Sequence, residues 1–258
     1  MATDGLQLGE PQGQSVGAGV EWIGEGWRLF AKAPLMWVIS VLVVFVLAVV
    51  ANFIPLIGTL AFQVLQPVFA AGFIVACRSL ETGGEFELEH VFAGFKRNLS
   101  NLIVVGLLLL AGFVALFLVF AAFAGFGLVT AFMTGNLDTN LTPALMASGM
   151  SIVFGTLVML FLMIPLMMAY WFAPALVMMH DMAPIAAMKA SFSGCLRNIV
   201  PFIIWGFIMM VLCFVAMIPF GLGMLVWVPL AITSTYVAYR RIFTEDAMPA
   251  EPAMVKAA

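Results

Sequence analysis

Six stretches of this chain are long, apolar and free of charge, and they decide what it can fold into. They cover residues 35–53, 56–77, 102–124, 152–179, 201–218 and 222–239, and none has a Lys, Arg, Asp or Glu inside it. A helix needs about 20 mostly apolar residues to cross about 30 Å of hydrocarbon. One charged residue at mid-membrane costs about 2.5–3.5 kcal/mol, so six uncharged stretches of that length predict six crossings. The whole composition agrees, with 64% hydrophobic and 9% charged residues, where soluble domains carry about 45–50% and about 25%. The expected fold class is all-α, a polytopic membrane protein with six transmembrane helices.

Orientation follows from the basic residues. Arg28 and Lys32 precede the first stretch, and Arg78, Lys96 and Arg97 lie between the second and third. Lys189 and Arg197 lie between the fourth and fifth, and Arg240, Arg241 and Lys256 follow the sixth. The long connection on the opposite side, 125–150, holds only Asp138. The positive-inside rule therefore predicts cytoplasmic termini and a periplasmic 125–150 loop. The start of the chain lacks a basic segment followed by an apolar run, so no cleavable signal is expected there. The expected organisation is a flexible cytoplasmic tail over 1–20, a transmembrane domain over 21–243 and a second flexible cytoplasmic tail over 244–258. A net charge of −3 argues against a nucleic-acid partner.

The sequence also repeats. Gly94-Phe95-Lys96-Arg97-Asn98 and Gly194-Cys195-Leu196-Arg197-Asn198 share the pattern G-x-x-R-N, followed at equal distance by Ile103 with Gly106 and Ile203 with Gly206. Ile54-Pro55 and Ile218-Pro219 end the outgoing helices of the first and last hairpins. Pro67 and Pro229 stand in their returning helices, and Pro174 fills that role in the middle one. Three copies of one unit are expected, the second elongated. Each opens with an amphipathic stretch: Trp22, Ile23, Trp27 and Phe30 against Glu21, Glu25, Arg28 and Lys32; Leu88, Val91, Phe92, Phe95 and Leu99 against Glu89, Lys96 and Arg97; Ile185, Met188, Phe192 and Leu196 against Lys189, Ser193 and Arg197. Such helices suit the cytoplasmic headgroup layer. Arg28, Lys32, Lys96, Arg97, Lys189 and Arg197 are the expected headgroup contacts.

The runs Trp27-Arg28-Leu29-Phe30, Ala70-Ala71-Gly72 to Ala76-Cys77-Arg78, His90-Val91-Phe92-Ala93-Gly94-Phe95, Ala169-Tyr170-Trp171-Phe172-Ala173-Pro174 and Cys195-Leu196-Arg197-Asn198 carry a family likeness. Over residues 20–243 the chain resembles an uncharacterised family of six-helix proteobacterial inner-membrane proteins. That family is similar in layout to the membrane domain attached to some glycerophosphodiester phosphodiesterases. The resemblance implies the bacterial inner membrane and no activity, since the soluble phosphodiesterase barrel is absent.

Chemistry-bearing residues are sparse. Cys77, Cys195 and Cys213 lack metal-ligand spacing and read as small buried hydrophobes. His90, His180 and Asp181 are the one acid–base set available to an interfacial enzyme. The cluster Met178-Met179-His180-Asp181-Met182 has soft ligands of the kind that suit Cu(I). No nucleophile elbow or phosphate loop occurs, and neither catalytic residues nor a cofactor or metal is expected. The polar and kinked positions of the returning helices, Gln63, Gln66, Pro67, Tyr170, Pro174 and Pro229, are the candidate intramembrane site. Proline frees a carbonyl and bends a helix, and that carbonyl needs a partner in lipid. Gln63 and Gln66 are expected to be buried and to bond neighbouring helices. The functional expectation is a non-enzymatic membrane protein that interacts with phospholipids or organises a membrane-protein partner or a second copy. The alternative is a transporter or channel for a small apolar or weakly polar solute.

Overall fold

The computed structural model describes residues 7–133 and 141–244. Asp138, Lys256 and nearly all of the predicted C-terminal tail lie outside them. Among the described residues every regular element is a helix: α1 (Ala18–Ala31), α2 (Pro34–Asn52), α3 (Ile57–Glu81), α4 (Leu88–Val91), α5 (Ala93–Lys96), α6 (Leu99–Met133), α7 (Leu141–Trp171), α8 (Ala173–His180), α9 (Pro184–Arg197), α10 (Ile199–Met217) and α11 (Met224–Phe243). Five segments are long and apolar enough to cross a membrane: Pro34–Asn52, Ile57–Glu81, Leu99–Gly125, Gly149–His180 and Ile199–Met217. The sixth predicted stretch forms α11, which is less apolar because it carries Thr233, Ser234, Thr235 and Tyr236 and ends on Arg240 and Arg241.

The predicted 125–150 loop is largely helix instead, since α6 continues to Met133 and α7 begins at Leu141. Its many Ala, Leu and Met residues favour that conformation.

The chain forms two compact units, one of Met1–Gly106 with Ala169–Ala258 and the other of Leu107–Met168. In the second, α6 and α7 run antiparallel. Gly112 sits against Leu166 and Gly155 against Phe123, and the Phe123 and Phe154 rings lie 5.3 Å apart.

In the first unit, α3 is approached closely by its neighbours. A methyl on Gly72 would overlap the Val91 carbonyl of α4, and one on Gly94 of α5 would overlap the Val68 carbonyl. Small residues permit backbones to meet at this range without a hydrophobic driving force between helices. Trp37 of α2 closes the other side, 4.7 Å from the Phe86 ring. At both hairpin tips the residue after the proline has a positive φ, Leu56 at 63° and Phe220 at 54°, but the turns differ: the Ile57 N–H closes a tight turn on the Pro55 carbonyl at 2.7 Å, and the Leu222 N–H reaches the Pro219 carbonyl at 3.1 Å.

Three expectations change. The segment 8–14 is a docked strap, not a flexible tail. Leu8 bridges to Thr244, Gly9 N–H donates to the Phe243 carbonyl and Gln12 N–H to the Ile242 carbonyl, both at 2.8 Å. The Gln14 side chain donates to the Arg241 carbonyl at 2.7 Å. These are the last carbonyls of α11, which have no partner inside the helix; the strap satisfies them.

The second change concerns α1, expected to lie on headgroups through its apolar side. Trp22, Leu29 and Phe30 are instead buried in protein: Trp22 meets the Phe202 ring of α10 at 5.1 Å, and Gly26 lies so close to α11 that an added Cβ would be 2.7 Å from the Ser234 nitrogen. Both faces of α1 find protein partners, because its acidic side meets arginines of α11.

Third, the second amphipathic stretch is broken at Phe92 into α4 and α5. In α9 the buried residues are the small ones, Ala187, Ser191, Gly194 and Cys195, while Ile185 and Leu196 of its apolar stripe stay exposed.

Candidate functional site

Each of the three returning segments carries a proline, which removes one intrahelical donor when it stands inside a helix. Pro67 and Pro229 are buried inside α3 and α11. Pro174 sits in the first turn of α8, directly after the interruption of α7 at Phe172. There the Phe172 N–H donates to the Ser191 hydroxyl of α9 at 2.9 Å, so a buried donor at the break is satisfied.

These segments converge on one cavity of about 270 Å³. Ala70, Phe73 and Ile74 line it from α3, one to two turns past Pro67. Tyr170, Trp171, Phe172, Pro174 and Ala175 line it from the α7–α8 break, and Trp227, Ala231, Ile232 and Thr235 from the turns flanking Pro229 in α11. Trp205 of α10 completes the wall, its ring 5.5 Å from that of Trp171 and edge-on to it.

The polar atoms of this wall are unequal. Trp205 donates its indole N–H to the Ser234 hydroxyl at 3.0 Å, and Trp227 donates to the Met209 carbonyl at 2.8 Å. The Trp171 indole N–H is buried with no hydrogen-bond partner among the described residues. A buried donor left unpaired costs about 1–3 kcal/mol. The cavity therefore offers mainly aromatic surface, with the side chains of Tyr170 and Thr235 in its wall, which suits an apolar or weakly polar molecule.

Of the candidate intramembrane residues, the structure brings Tyr170 and Pro174 into this wall and sets Pro67 and Pro229 behind it. Gln63 is half-buried and Gln66 exposed, so neither occupies the buried helix–helix position expected of it. The sequence reading missed Trp171, Trp205 and Trp227. For Trp171 and Trp227 the signal available was an aromatic residue within one turn of Pro174 and of Pro229; Trp205 of α10 stands beside none of the three prolines.

The six candidate headgroup contacts divide. Lys32 donates to the Leu80 carbonyl at 2.7 Å, Arg197 to the Pro11 carbonyl at 2.8 Å, and Arg97 pairs with Asp181 at 2.8 Å. Lys96 pairs with Glu89. Arg28 and Lys189 are exposed.

The same end of the unit holds a denser ionic cluster. Arg241 pairs with Glu21 and Glu25 of α1. Arg240 reaches Glu81 at 2.7 Å, and Glu81 also accepts from Tyr236 at 2.6 Å and Arg78 at 3.0 Å. This cluster ties α1, α3 and α11 together.

The two histidines are not brought together. His90 caps α4, its Nδ1 accepting the Glu87 N–H at 3.1 Å, while His180 bonds the Tyr239 hydroxyl at 2.6 Å. No cluster of three or more His, Cys, Asp or Glu able to hold a metal occurs among the described residues. Met178 is buried in the core. Burial pushes the Cys195 thiol up to about 12, so it stays protonated at neutral pH and is not a ready nucleophile.

No family model matches the chain, and no solved structure does. Among curated proteins, the chain is 32% identical over 197 residues to a probable inner membrane protein of Burkholderia thailandensis, covering 74% of this chain and 72% of that one.

Proposed function

We propose, from the premise that the chain belongs to the family of that probable inner membrane protein, that it is a non-enzymatic lipid-interacting protein holding an apolar or weakly polar molecule in the aromatic cavity. The tryptophan-rich wall carries this reading: Trp171, Trp205 and Trp227 line one cavity together with Tyr170 and Thr235. Its natural occupant is a largely apolar body. The volume, about 270 Å³, lies at the small end of ligand pockets, which run about 300–1,000 Å³. It fits one ring system or part of a lipid.

The test is to extract the small molecules that co-purify in mild detergent and compare the chain with Trp171→Phe, which shortens one wall of the cavity. A small molecule retained by the first and depleted from the second supports the proposal. Identical extracts from both variants refute it.

The proposed topology is six crossings in three hairpin units with both termini in the cytoplasm. Leu8 pairs with Thr244, so the strap and the end of α11 share a face, which supports an even number of crossings. With five apolar segments, α11 supplies the sixth. The repeat is supported by the positive φ that follows the proline at both tips, at Leu56 and Phe220. It is supported also by Asn98 and Asn198, whose carbonyls accept the first bonds of α6 and α10 from Leu102 and Phe202.

A second reading is passage of a small apolar solute, favoured by three prolines set around one cavity. Pro67→Ala and Pro229→Ala would then reduce flux into proteoliposomes while leaving the folded yield unchanged.

A further inference from the structure

The aromatic cavity is closed on the side where α11 ends and the strap docks. As the chain advances from Phe172 to His180, its partner on α11 moves backward: the Phe172 ring lies 5.3 Å from that of Phe243, and His180 bonds the Tyr239 hydroxyl at 2.6 Å. The helix between them, α8, thus turns across the end of α11 instead of running out beside it. Its residues from Ala173 to Met178 are all buried, and at about 3.6 residues per turn such a run covers every direction around the helix axis. Pro174 and Ala175 line the cavity, α9 packs on α8, and the Asn98 side chain holds its far end at the Val177 carbonyl, 3.0 Å away. Cys77 of α3 and Tyr236 and Tyr239 of α11 are buried as well. Each stands one helical turn beyond a wall residue, Phe73, Ile232 and Thr235 respectively.

The other side of the wall is less covered. Tyr170, Trp171, Trp205, Trp227 and Ala231 are only half-buried. Trp171 and Trp205 belong to segments long and apolar enough to cross a membrane, so what they leave uncovered meets hydrocarbon.

We propose that the cavity is loaded sideways from the bilayer, through its tryptophan side, and not from water, so that its occupants are molecules that dissolve in hydrocarbon. This route rests on the reading of the cavity as a binding site and adds the direction of entry and the class of occupant. A water-soluble solute coming from the strap side would have to displace α8 or part Tyr236 from Glu81, a 2.6 Å contact that Arg78 and Arg240 brace. A lipid-soluble one passes no ionic layer. Tryptophan suits such a portal, with a large rigid apolar body and a single polar edge.

The experiment uses the indoles themselves. Trp22 and Trp37 are fully buried and Trp27 is half exposed, so Trp27→Phe leaves Trp171, Trp205 and Trp227 as the ones a quencher can reach. The full chain is placed in phosphatidylcholine nanodiscs, which expose both faces to water. Its fluorescence is titrated with iodide, which stays in water, and with bromooctane, which dissolves in the bilayer. Iodide should quench the native chain through Trp27 and lose that effect in Trp27→Phe. Bromooctane should quench Trp27→Phe along a saturating curve, as a filling site does, and adding Ala231→Leu, which narrows the cavity, should flatten the curve. Iodide quenching that persists in Trp27→Phe would reveal a water path and overturn the proposal. Bromooctane quenching that only grows in proportion to concentration would mean lipid contact without entry, and would overturn it too. Neither readout depends on what co-purifies. Saturable bromooctane quenching beside identical extracts from the chain and Trp171→Phe would uphold the route and refute retention of a native ligand.

Discussion

Asn98 and Asp181 both hold left-handed backbone, at φ 60° and 52°, and the Asn98 side chain donates to the Asp181 carboxylate at 2.7 Å. Arg97 donates to the other carboxylate oxygen at 2.8 Å. Asn and Asp are the non-glycine residues that tolerate this conformation, so the two turns that start α6 and end α8 are fastened at their tightest points. Hydrogen bonds from Asn98 first, and from Arg97, hold the Asp181 carboxyl below its usual range.

A depressed carboxylate contributes stability above its unfolded value of about 3.9 and loses it as pH falls through the folded one. The melting difference between the native chain and Asp181→Asn should therefore be constant from neutral pH down to about 5 and shrink below about 4. The pair is exposed, so the difference is at most about 1 kcal/mol. A gap that widens on acidification would contradict the assignment.

Glu81 joins Arg240, Tyr236 and Arg78. Its side chain is 22% exposed and that of Arg240 27%, so the pair is screened only in part. Glu81→Gln should cost about 1–3 kcal/mol, because it removes the carboxylate charge that Arg240, Arg78 and Tyr236 share. Glu89→Gln, whose carboxylate is solvated, should leave the melting temperature nearly unchanged. Equal effects of the two substitutions would show that the cluster does not fasten α1, α3 and α11.

Two glycines of α1 should respond with opposite signs. An added Cβ at Gly24 meets nothing within 4 Å, whereas one at Gly26 meets α11 backbone at 2.7 Å. Gly24→Ala should stabilise by about 0.5–1 kcal/mol through helix propensity, and Gly26→Ala should destabilise. Thermal unfolding in detergent decides it, and a stabilising Gly26→Ala would remove α1 from the α11 surface.

Asn198 is buried and accepts the Gln14 N–H at 2.7 Å while donating to the Gln12 carbonyl at 2.9 Å. Asn198→Ala leaves both strap groups unpaired, at about 1–3 kcal/mol. Limited proteolysis should then cut within residues 8–14 of the variant and spare the native chain. Equal cutting of both would mean that the strap is not held at Asn198.

Five of the six expected apolar helices were legible in the sequence as candidate spans, because lipid imposes a crude rule, length and apolarity, that needs no tertiary information. The Pro67, Pro174 and Pro229 series was legible for a similar reason: proline acts through its own backbone. What escaped depended on partners distant in sequence. Nothing in the Gly- and Gln-rich run before α1 signals that it satisfies the carbonyls of Arg241, Ile242 and Phe243. The acidic residues Glu21 and Glu25 looked like a solvated face until α11 brought Arg240 and Arg241 against them. Trp171 could be read as one more apolar residue, because an unpaired indole N–H shows only once the partners of Trp205 and Trp227 are known.

The account turns on an even number of crossings with both ends of the chain in the cytoplasm. The most direct measurement is a pair of topology reporters in living bacteria, placed after Ala258 and within residues 134–140. Green fluorescent protein after Ala258 should fluoresce while alkaline phosphatase there stays inactive, and alkaline phosphatase within 134–140 should be active. Active phosphatase after Ala258 would make the number of crossings odd or reverse the orientation, and would contradict the account.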